Sequence, residues 1–267
     1  MTKHHKYLSG EKLFGDDFDL NSIENWFLEE KEGYANLGSK DIKQYQYEYH
    51  ELNKFYGYSF LSNINKIKVL SIGGAYGDEI LPILEKVESL TILEPSEQMR
   101  AKKIGEININ YLTPRIDGII ELEDNLFDLV TCFGVLHHIP NVSFVLSEMK
   151  RILKPGGIML IREPIISMGD WNKPRTGLTK NERGIPLKIF REIIKTNKLN
   201  TLLEKACFTK PLDTFRSKLT RLAPYNNPIF VKFDLLVSNL LFFNYRYHAK
   251  SFLQKIRPTC VYLVIQK

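Results

Sequence analysis

The chain has 267 residues, of which 43% are hydrophobic and 25% are charged, values that are ordinary for a globular protein. This length suits one sizeable α/β domain with additional elements. The formal net charge of +6 is too small for a dedicated nucleic-acid binder. Cys132, Cys207 and Cys260 are isolated, so neither a zinc site nor any other metal site is predicted. Without an apolar signal core or a membrane-spanning run, we expect a reduced, cytoplasmic protein.

The first zone of the chain, residues 1–64, has a helical pattern. Asn21 and Ser22 can cap a helix that carries Ile23, Trp26 and Phe27 at helical spacing. A second helix is predicted over 41–56, where tyrosines recur every three to four residues.

Strands and helices alternate from residue 66 to residue 164. Strands are predicted over 68–72, 90–94, 108–112, 127–133 and 158–162, and helices over 78–87, 96–104 and 143–153. This alternation is typical of parallel strands joined by right-handed crossovers. Beyond residue 164 the sequence predicts a polar loop over 169–184, a helix over 186–198, an insertion over 211–258 and a closing strand over 259–265.

A glycine-rich turn follows the first predicted strand, in the segment Val-Leu-Ser-Ile-Gly-Gly-Ala-Tyr-Gly-Asp-Glu at 69–79. Glycine lets a ligand approach the backbone closely, and a helix that begins there would offer N–H groups to an anion. A plain strand–helix turn has the same glycines, so this segment alone leaves both interpretations open. Glu94 ends the next strand, where a carboxylate can accept hydrogen bonds from the ribose of an adenosine cofactor.

Four segments, 69–77, 93–99, 127–139 and 149–158, together resemble the class I S-adenosylmethionine-dependent methyltransferases. The last two, Phe-Asp-Leu-Val-Thr-Cys-Phe-Gly-Val-Leu-His-His-Ile and Met-Lys-Arg-Ile-Leu-Lys-Pro-Gly-Gly-Ile, resemble the small-molecule, type 11-like subgroup. The resemblance implies an α/β fold with a seven-stranded doubly wound sheet, six strands parallel and the last antiparallel. We expect an N-terminal helical lid over 1–64 and a Rossmann-like domain over 65–267, with a helical insertion at about 211–258.

The same resemblance implies S-adenosylmethionine as the methyl donor. Its expected contacts are Ser71, Gly73, Gly74, Ala75, Gly77, Glu94, Pro95, Ser96, Met99, Asp117, Phe133 and Gly134. Asp117 is a candidate for the adenine amino group, although a surface carboxylate fits its position equally well. Ser71 stands where the family usually has an acid, and Ala75 stands where it usually has a second glycine.

Methyl transfer to a hydroxyl requires an aligned acceptor and a base that removes the proton. His137 and His138 follow the fourth predicted strand and Glu163 follows the fifth, so all three should border one crevice. A histidine oriented by a carboxylate is a suitable base near neutral pH. We predict catalytic roles for these three residues, with simple packing of the histidine pair as the alternative.

The polar loop and the lid supply the candidate acceptor contacts. Asp170, Trp171, Arg175 and Arg183 could form a pocket in which Trp171 stacks on a ring and the arginines bind phosphate or carboxylate. Tyr34, Tyr45 and Tyr49 of the lid are further candidates, although a tyrosine stripe commonly packs. The predicted function is O-methylation of a small polar acceptor, sugar-linked or anionic, such as a surface-polysaccharide precursor.

Other functions stay open from the sequence. A quinone, another small molecule or RNA could be the acceptor, although nucleic acid fits the modest charge poorly. Ser71 and Ala75 would also fit a catalytically silent donor-binding partner protein, and a nicotinamide dehydrogenase is the third class. The apolar run 229–243 lies among basic residues and could form a buried cap helix, a homodimer contact or a peripheral membrane contact.

Overall fold

The computed structural model describes residues 5–35, 45–62, 65–171, 175, 177–209 and 223–267, and for 31–35 it describes the backbone only. Its N-terminal part holds three α-helices, α1 (His5–Leu8), α2 (Leu20–Ala35) and α3 (His50–Tyr56). The Asp19 carboxylate accepts a hydrogen bond from the Ser22 N–H at 2.9 Å, so Asp19 caps α2 instead of the predicted pair. Of the helix predicted over 41–56, the structure shows the part from His50 to Tyr56. Residues 45–49 are not helical, and residues 41–44 lie outside the described residues.

Eight strands are described in the rest of the chain. They are β1 (Ile67–Ile72), β2 (Val87–Leu93), β3 (Lys103–Ile104), β4 (Ile107–Leu112), β5 (Phe127–Phe133), β6 (Leu153–Pro164), β7 (Asn200–Thr209) and β8 (Pro258–Gln266). They form one sheet in the order β3-β4-β2-β1-β5-β6-β8-β7. Strands β4, β2, β1, β5 and β6 pair in parallel, whereas β8 pairs antiparallel with both β6 and β7. The α/β class and the antiparallel final strand are confirmed.

The sheet has eight strands, where the sequence predicted seven. Six of the eight match the predicted segments, whereas β7 and the two-residue β3 were not located from the sequence. Strand β3 pairs antiparallel with β4 through the hairpin at Gly105 and Glu106. Gly105 has φ +54°, the conformation that a tight hairpin turn requires and that glycine adopts at little cost. The helix predicted over 96–104 is therefore wrong, and only a short 3₁₀ turn, Glu97–Met99, occurs in it.

The remaining described α-helices are α4 (Val142–Ile152), α5 (Leu187–Thr196) and α6 (Pro228–Leu241), the last lying within the predicted insertion. The segment after the glycine turn, Asp78–Lys86, is a 3₁₀ helix that contains Pro82. Proline has no N–H to donate and its ring clashes with the preceding turn, which accounts for the loss of regular α-helix there. The α-helix predicted over 78–87 is thus corrected, and with it the α-helical N-terminus whose N–H groups were expected at the turn.

Apolar layers cover both faces of the sheet. On one face, Leu146 and Met149 of α4 and Phe190 of α5 are buried against β5, β6 and β8. On the other, Leu52 of α3 and Val231 of α6 are buried with residues of β1, β2 and β8. Within the described part of the chain, no helix is both long and apolar enough to cross a membrane.

Candidate active site

A cavity of about 770 Å³ opens at the carboxyl ends of β1, β2 and β5. Trp26, Glu30, Tyr45 and Tyr49 from the N-terminal segments line it together with residues of the sheet. Eight of the predicted donor contacts line it as well: Gly73, Ala75, Glu94, Pro95, Ser96, Met99, Phe133 and Gly134. In open α/β sheets, ligands usually bind at the carboxyl ends of the strands, at the point where the strand order reverses.

Glu94 has a fixed side chain in the cavity wall. Its Oε2 accepts a hydrogen bond from the Ala75 N–H at 3.2 Å, and its Oε1 accepts one from the Ser96 N–H at 2.9 Å. Burial raises the pKa of Glu94, while the hydrogen bonds from Ser96 and Ala75 oppose that rise. The glycine turn and the end of β2 therefore hold this carboxylate in one orientation.

Gly134 and Ala75, two backbone positions in the cavity wall, have positive φ angles. Gly134 has φ +73°, and a Cβ added there would make only an ordinary van der Waals contact, with His137 Cε1 at 3.8 Å. Ala75, at the family's second glycine position, keeps a left-handed backbone with φ +47°. The departure from the family pattern is therefore tolerated in the fold, at a strain of about 1–2 kcal/mol.

Ser71 does not line the cavity, and its hydroxyl donates a hydrogen bond to the carboxylate of Glu79 behind the glycine turn. A Cβ added at Gly74 would lie 2.0 Å from Ser71 Oγ and 2.5 Å from Glu79 Oε1, so only glycine fits over this pair. Burial raises the pKa of Glu79 to about 7, against the hydrogen bond from Ser71. Sequence reasoning missed Glu79, which brings a carboxylate to the turn where strand β1 lacks the usual acid.

Asp117 lies outside the cavity lining and forms an exposed pair with Arg115, with Nη2 to Oδ2 at 2.7 Å. Asn141 does line the cavity, and it follows residues 134–140, the loop after β5 that carries His137 and His138 and that we call the histidine loop. Its Nδ2 donates to the Asp117 carbonyl at 2.8 Å, while its buried Oδ1 has no hydrogen-bond partner among the described residues. A buried acceptor in a cavity wall without a protein partner can accept a hydrogen bond from a ligand or from a water molecule. No local sequence signal distinguished Asn141.

His137 is buried and held between two carboxylates. Its Nδ1 lies 2.8 Å from Glu163 Oε2 and its Nε2 lies 3.5 Å from Glu182 Oε1. Burial by itself disfavours the imidazolium, but hydrogen bonds to Glu163 and Glu182 outweigh it and raise the pKa of His137 to about 9. An imidazole that already carries its proton at neutral pH is a poor base, which counts against the predicted role of His137.

Glu163 does not line the cavity, and its carboxylate accepts hydrogen bonds from main-chain N–H groups. Its Oε1 accepts hydrogen bonds from the N–H groups of Val135 and Leu136 at 2.7 and 2.8 Å. It therefore fixes the loop that follows β5 and orients His137, instead of facing an acceptor as the sequence suggested.

His138 differs from its neighbour because it lines the cavity. Its Nδ1 lies 2.8 Å from Oε2 of Glu30, on α2. Thr179 Oγ1 donates to the same Glu30 oxygen at 2.7 Å, so the carboxylate joins α2, the histidine loop and the polar loop. If the ring proton resides on Nδ1, as a carboxylate partner favours, the lone pair lies on Nε2.

The histidine loop also brings metal-ligating atoms together. One ring nitrogen each of His137 and His138 and one oxygen of Glu182 lie within 4.8 Å of one another, a grouping that the sequence did not predict. The ion pairs of these side chains with Glu163, Glu30 and each other account for their arrangement.

The polar-loop residues predicted to contact the acceptor are bonded within the protein. The Arg183 guanidinium is buried and donates to the backbone carbonyls of Phe14, Leu136, His137, Ile139 and Pro140. Arg175 donates to the carbonyls of Met168, Thr179, Lys180 and Glu182. Trp171 Nε1 donates to the Ser167 carbonyl at 2.8 Å, and its ring contacts Phe14. None of these three, nor Asp170, lines the cavity.

Tyr45 and Tyr49 do line the cavity, whereas the side chain of Tyr34 lies outside the described residues. The guanidinium carbon of Arg162, a further lining residue that the sequence did not single out, lies 3.9 Å from the centre of the Tyr49 ring. The same guanidinium carbon lies 5.3 Å from the centre of the Phe133 ring. This part of the wall is consequently aromatic and cationic.

A family described as a methyltransferase domain matches residues 70–161, which include the glycine turn, Glu94, His138 and Asn141. Residues 70–161 thus resemble a methyltransferase domain. A putative S-adenosylmethionine-dependent methyltransferase from Listeria monocytogenes has a similar fold, with TM-score 0.53 at 14% identity, covering 82% of this chain and 97% of that one. Another such methyltransferase, from Mesorhizobium loti, gives TM-score 0.51 at 16% identity, covering 78% and 94%. At these identities the two structures support the fold of the methyltransferase domain.

Two curated relatives resemble the methyltransferase domain in sequence. The ubiquinone biosynthesis O-methyltransferase of Rickettsia typhi is 29% identical over 107 residues, covering 38% of this chain and 42% of the relative. The ubiquinone/menaquinone biosynthesis C-methyltransferase of Bartonella bacilliformis is 31% identical over 105 residues, covering 36% and 40%. The chain thus spans less than half the length of either relative.

Proposed function

We propose that this protein transfers a methyl group from S-adenosylmethionine to a hydroxyl oxygen of a small acceptor. The observation that carries the proposal is one cavity whose wall contains both Glu94 at the glycine turn and the His138–Glu30 pair. The first feature fits an adenosine-bearing donor and the second fits removal of a proton from an acceptor. The match of residues 70–161 to a methyltransferase domain supports the same reaction.

In this proposal Glu94 accepts hydrogen bonds from the donor ribose, and the backbone at Gly73, Ala75 and Gly134 lies along its methionine part. Asn141 Oδ1, which lacks a partner among the described residues, accepts from the adenine amino group in place of Asp117. The bound donor supplies a methyl group on a sulfonium, whose leaving group is neutral and needs no acid. The remaining requirement on the protein is therefore acceptor alignment and deprotonation.

The base in this proposal is His138. Glu30 orients the imidazole and stabilises the imidazolium that forms when the acceptor loses its proton, in the way that a buried carboxylate assists a catalytic histidine. His137 and Glu163 act as positioning residues, because they hold the loop that carries His138.

A hydroxylated aromatic ring is the acceptor that we favour. The cavity wall includes Trp26, Tyr45, Tyr49 and Phe133, against which a flat ring can stack. Two curated relatives act in ubiquinone biosynthesis by their names, which is consistent with a phenolic acceptor. The sugar or polysaccharide precursor expected from the sequence loses its main support, since Trp171, Arg175 and Arg183 are bonded elsewhere.

The proposal is tested by incubating the purified protein with S-adenosylmethionine and a panel of catechol-type phenols, nucleotide sugars and RNA. We expect S-adenosylhomocysteine release with a phenol, and mass spectrometry of the product identifies the methylated atom. Donor binding by calorimetry without turnover on any acceptor would favour the silent partner protein. Binding of NADH in place of S-adenosylhomocysteine would contradict the proposal altogether.

The N-terminal lid, the cytoplasmic location and the homodimer remain predictions. The lining of the cavity by Trp26 and Glu30 of α2 supports the lid.

A further inference from the structure

Helix α6 (Pro228–Leu241) has one face on the protein and one on solvent. Val231, Asp234 and Ser238 are buried against the rest of the protein. The opposite side carries large apolar side chains with high exposed fractions: Ile229 78%, Phe233 49%, Leu236 57%, Leu240 64% and, just beyond the helix, Phe243 84%. These five residues recur at three- or four-residue spacing, so they form one continuous stripe along the helix.

A second exposed segment adjoins the end of this stripe. Phe252 and Leu253 have 78% and 73% of their surfaces exposed. The Asn244 side chain, next to Phe243, donates hydrogen bonds to the carbonyls of Leu253 and Ile256, each at 2.8 Å. These bonds tie the turn at 252–253 to the end of α6. We call the five stripe residues together with Phe252 and Leu253 the apolar face.

The exposed charged side chains of the segment 228–258 all have one sign. Lys232, Arg246, Lys250 and Lys255 are exposed. Between residues 228 and 258 the sequence contains a single acidic residue, Asp234. Asp234 is buried, where it accepts hydrogen bonds from the N–H groups of Phe208 and Thr209 at 3.0 and 3.1 Å. The surface is consequently apolar and cationic, without an exposed carboxylate in this segment.

We infer that the apolar face rests on the surface of an anionic lipid bilayer. Its side chains would enter the boundary between headgroups and acyl chains, while the four cations contact lipid phosphates. A helix of 14 residues is about 21 Å long, too short to span the hydrocarbon core of a bilayer. A second copy of the same face would bring like charges together, so charge complementarity favours the lipid surface over a symmetric dimer.

The experiment is co-sedimentation of the full chain with vesicles, which requires no enzymatic activity and is therefore independent of the proposed function. The two vesicle types are pure phosphatidylcholine and phosphatidylcholine mixed with phosphatidylglycerol. We expect binding to the anionic vesicles, weaker binding to the neutral ones and a decrease with added salt. Lys250→Ala combined with Lys255→Ala should weaken binding to the anionic vesicles by roughly tenfold or more.

The apolar contribution is tested with Phe243→Ser combined with Phe252→Ser, which should abolish sedimentation. Leu81→Ser is the matched control, because Leu81 is also an exposed apolar residue, at 44%, but lies on another element. Unchanged circular dichroism would show that both proteins fold, as expected for exposed positions. Equal binding of the double variant and the control would overturn the inference, as would absence of wild-type binding to anionic vesicles. A dimer in solution that the double variant disrupts, without vesicle binding, would identify a second copy as the occupant instead.

Discussion

The Ser71 hydroxyl donates its hydrogen bond to the Glu79 carboxylate directly behind Gly74. Glu79, from the segment after the turn, thereby brings a buried carboxylate to the back of the turn, although it does not line the cavity. Glu79 also accepts, through its backbone carbonyl, a hydrogen bond from the Tyr58 hydroxyl at 2.6 Å. The glycine turn is therefore held from behind by polar groups that are all buried.

We expect Glu79→Gln to weaken donor binding by up to about tenfold, because the substitution changes the buried hydrogen bond between Ser71 and Glu79 that supports the glycine turn from behind. The pKa of Glu79 lies near 7, so the wild-type carboxyl gains a proton as the pH falls through neutrality. Calorimetry with S-adenosylhomocysteine between pH 6 and 8 should show wild-type affinity falling toward low pH, while the variant changes less. The exchange Ser71→Asp with Glu79→Ser should recover part of the lost affinity. Identical affinities of wild type and Glu79→Gln would contradict this role.

His138→Ala should lower kcat by about 10²–10⁴-fold, the usual contribution of a general base. Donor affinity should stay close to that of the wild type, because the variant alters the proton acceptor and not the donor contacts. Glu30→Gln should lower kcat less, since it weakens the orientation of His138 without removing the base. Initial rates of S-adenosylhomocysteine release measure both effects. Unchanged kcat in His138→Ala would rule out His138 as the base.

The ion pairs of His137 predict a pH dependence of stability. Its pKa is about 9 in the folded protein against an ordinary value of 6.5, so the folded state holds the extra proton between these pH values. The stabilisation is complete below about pH 6.5 and disappears as the pH rises through about 9. Chemical denaturation should show the free energy of unfolding falling in this window, by at most about 1.4 kcal/mol per pH unit. His137→Gln should lack this component, and an unchanged slope in the variant would refute it.

Ala75→Gly should raise the free energy of unfolding by up to about 1 kcal/mol, because glycine relieves the left-handed strain at φ +47°. The greater freedom of glycine in the unfolded chain offsets part of the gain. Urea denaturation at constant pH measures the difference. Loss of stability in this variant would mean that the methyl group of Ala75 contributes packing that exceeds the strain.

Arg183→Met should lower the free energy of unfolding by about 3 kcal/mol, since several buried carbonyls lose a charged donor. Arg191→Met is the matched control. Arg191 pairs with Glu204 near the surface, where such pairs contribute less than about 1 kcal/mol. Similar losses in the two variants would contradict the structural role of Arg183.

Local sequence patterns predicted the parts of the fold and site that depend on neighbouring residues. The apolar runs of β1, β5 and β6 and the position of Glu94 after β2 were readable because strand and turn signals act over a few residues. The sequence also predicted the length of the segment after the glycine turn, but it predicted an α-helix where the structure has a 3₁₀ helix. Pro82 overrode the amphipathic pattern there.

The functions of individual polar side chains depended on contacts distant in sequence. Arg183 looked like a phosphate ligand in a polar loop, and only the folded chain brings it to the carbonyls around His137. Glu30 and Asn141 had no local motif, although both line the cavity. Burial and long-range pairing decide such roles, and neither is encoded in spacing along the chain.

The attachment of Glu30 to His138 means that the proposed base depends on an element outside the sheet. Glu30 belongs to α2, whereas His138 follows strand β5. The same Glu30 oxygen also accepts a hydrogen bond from Thr179 Oγ1 in the polar loop. In the proposed reaction, the orientation of the imidazole is therefore sensitive to substitutions in α2 and in the polar loop, although neither segment contributes a strand.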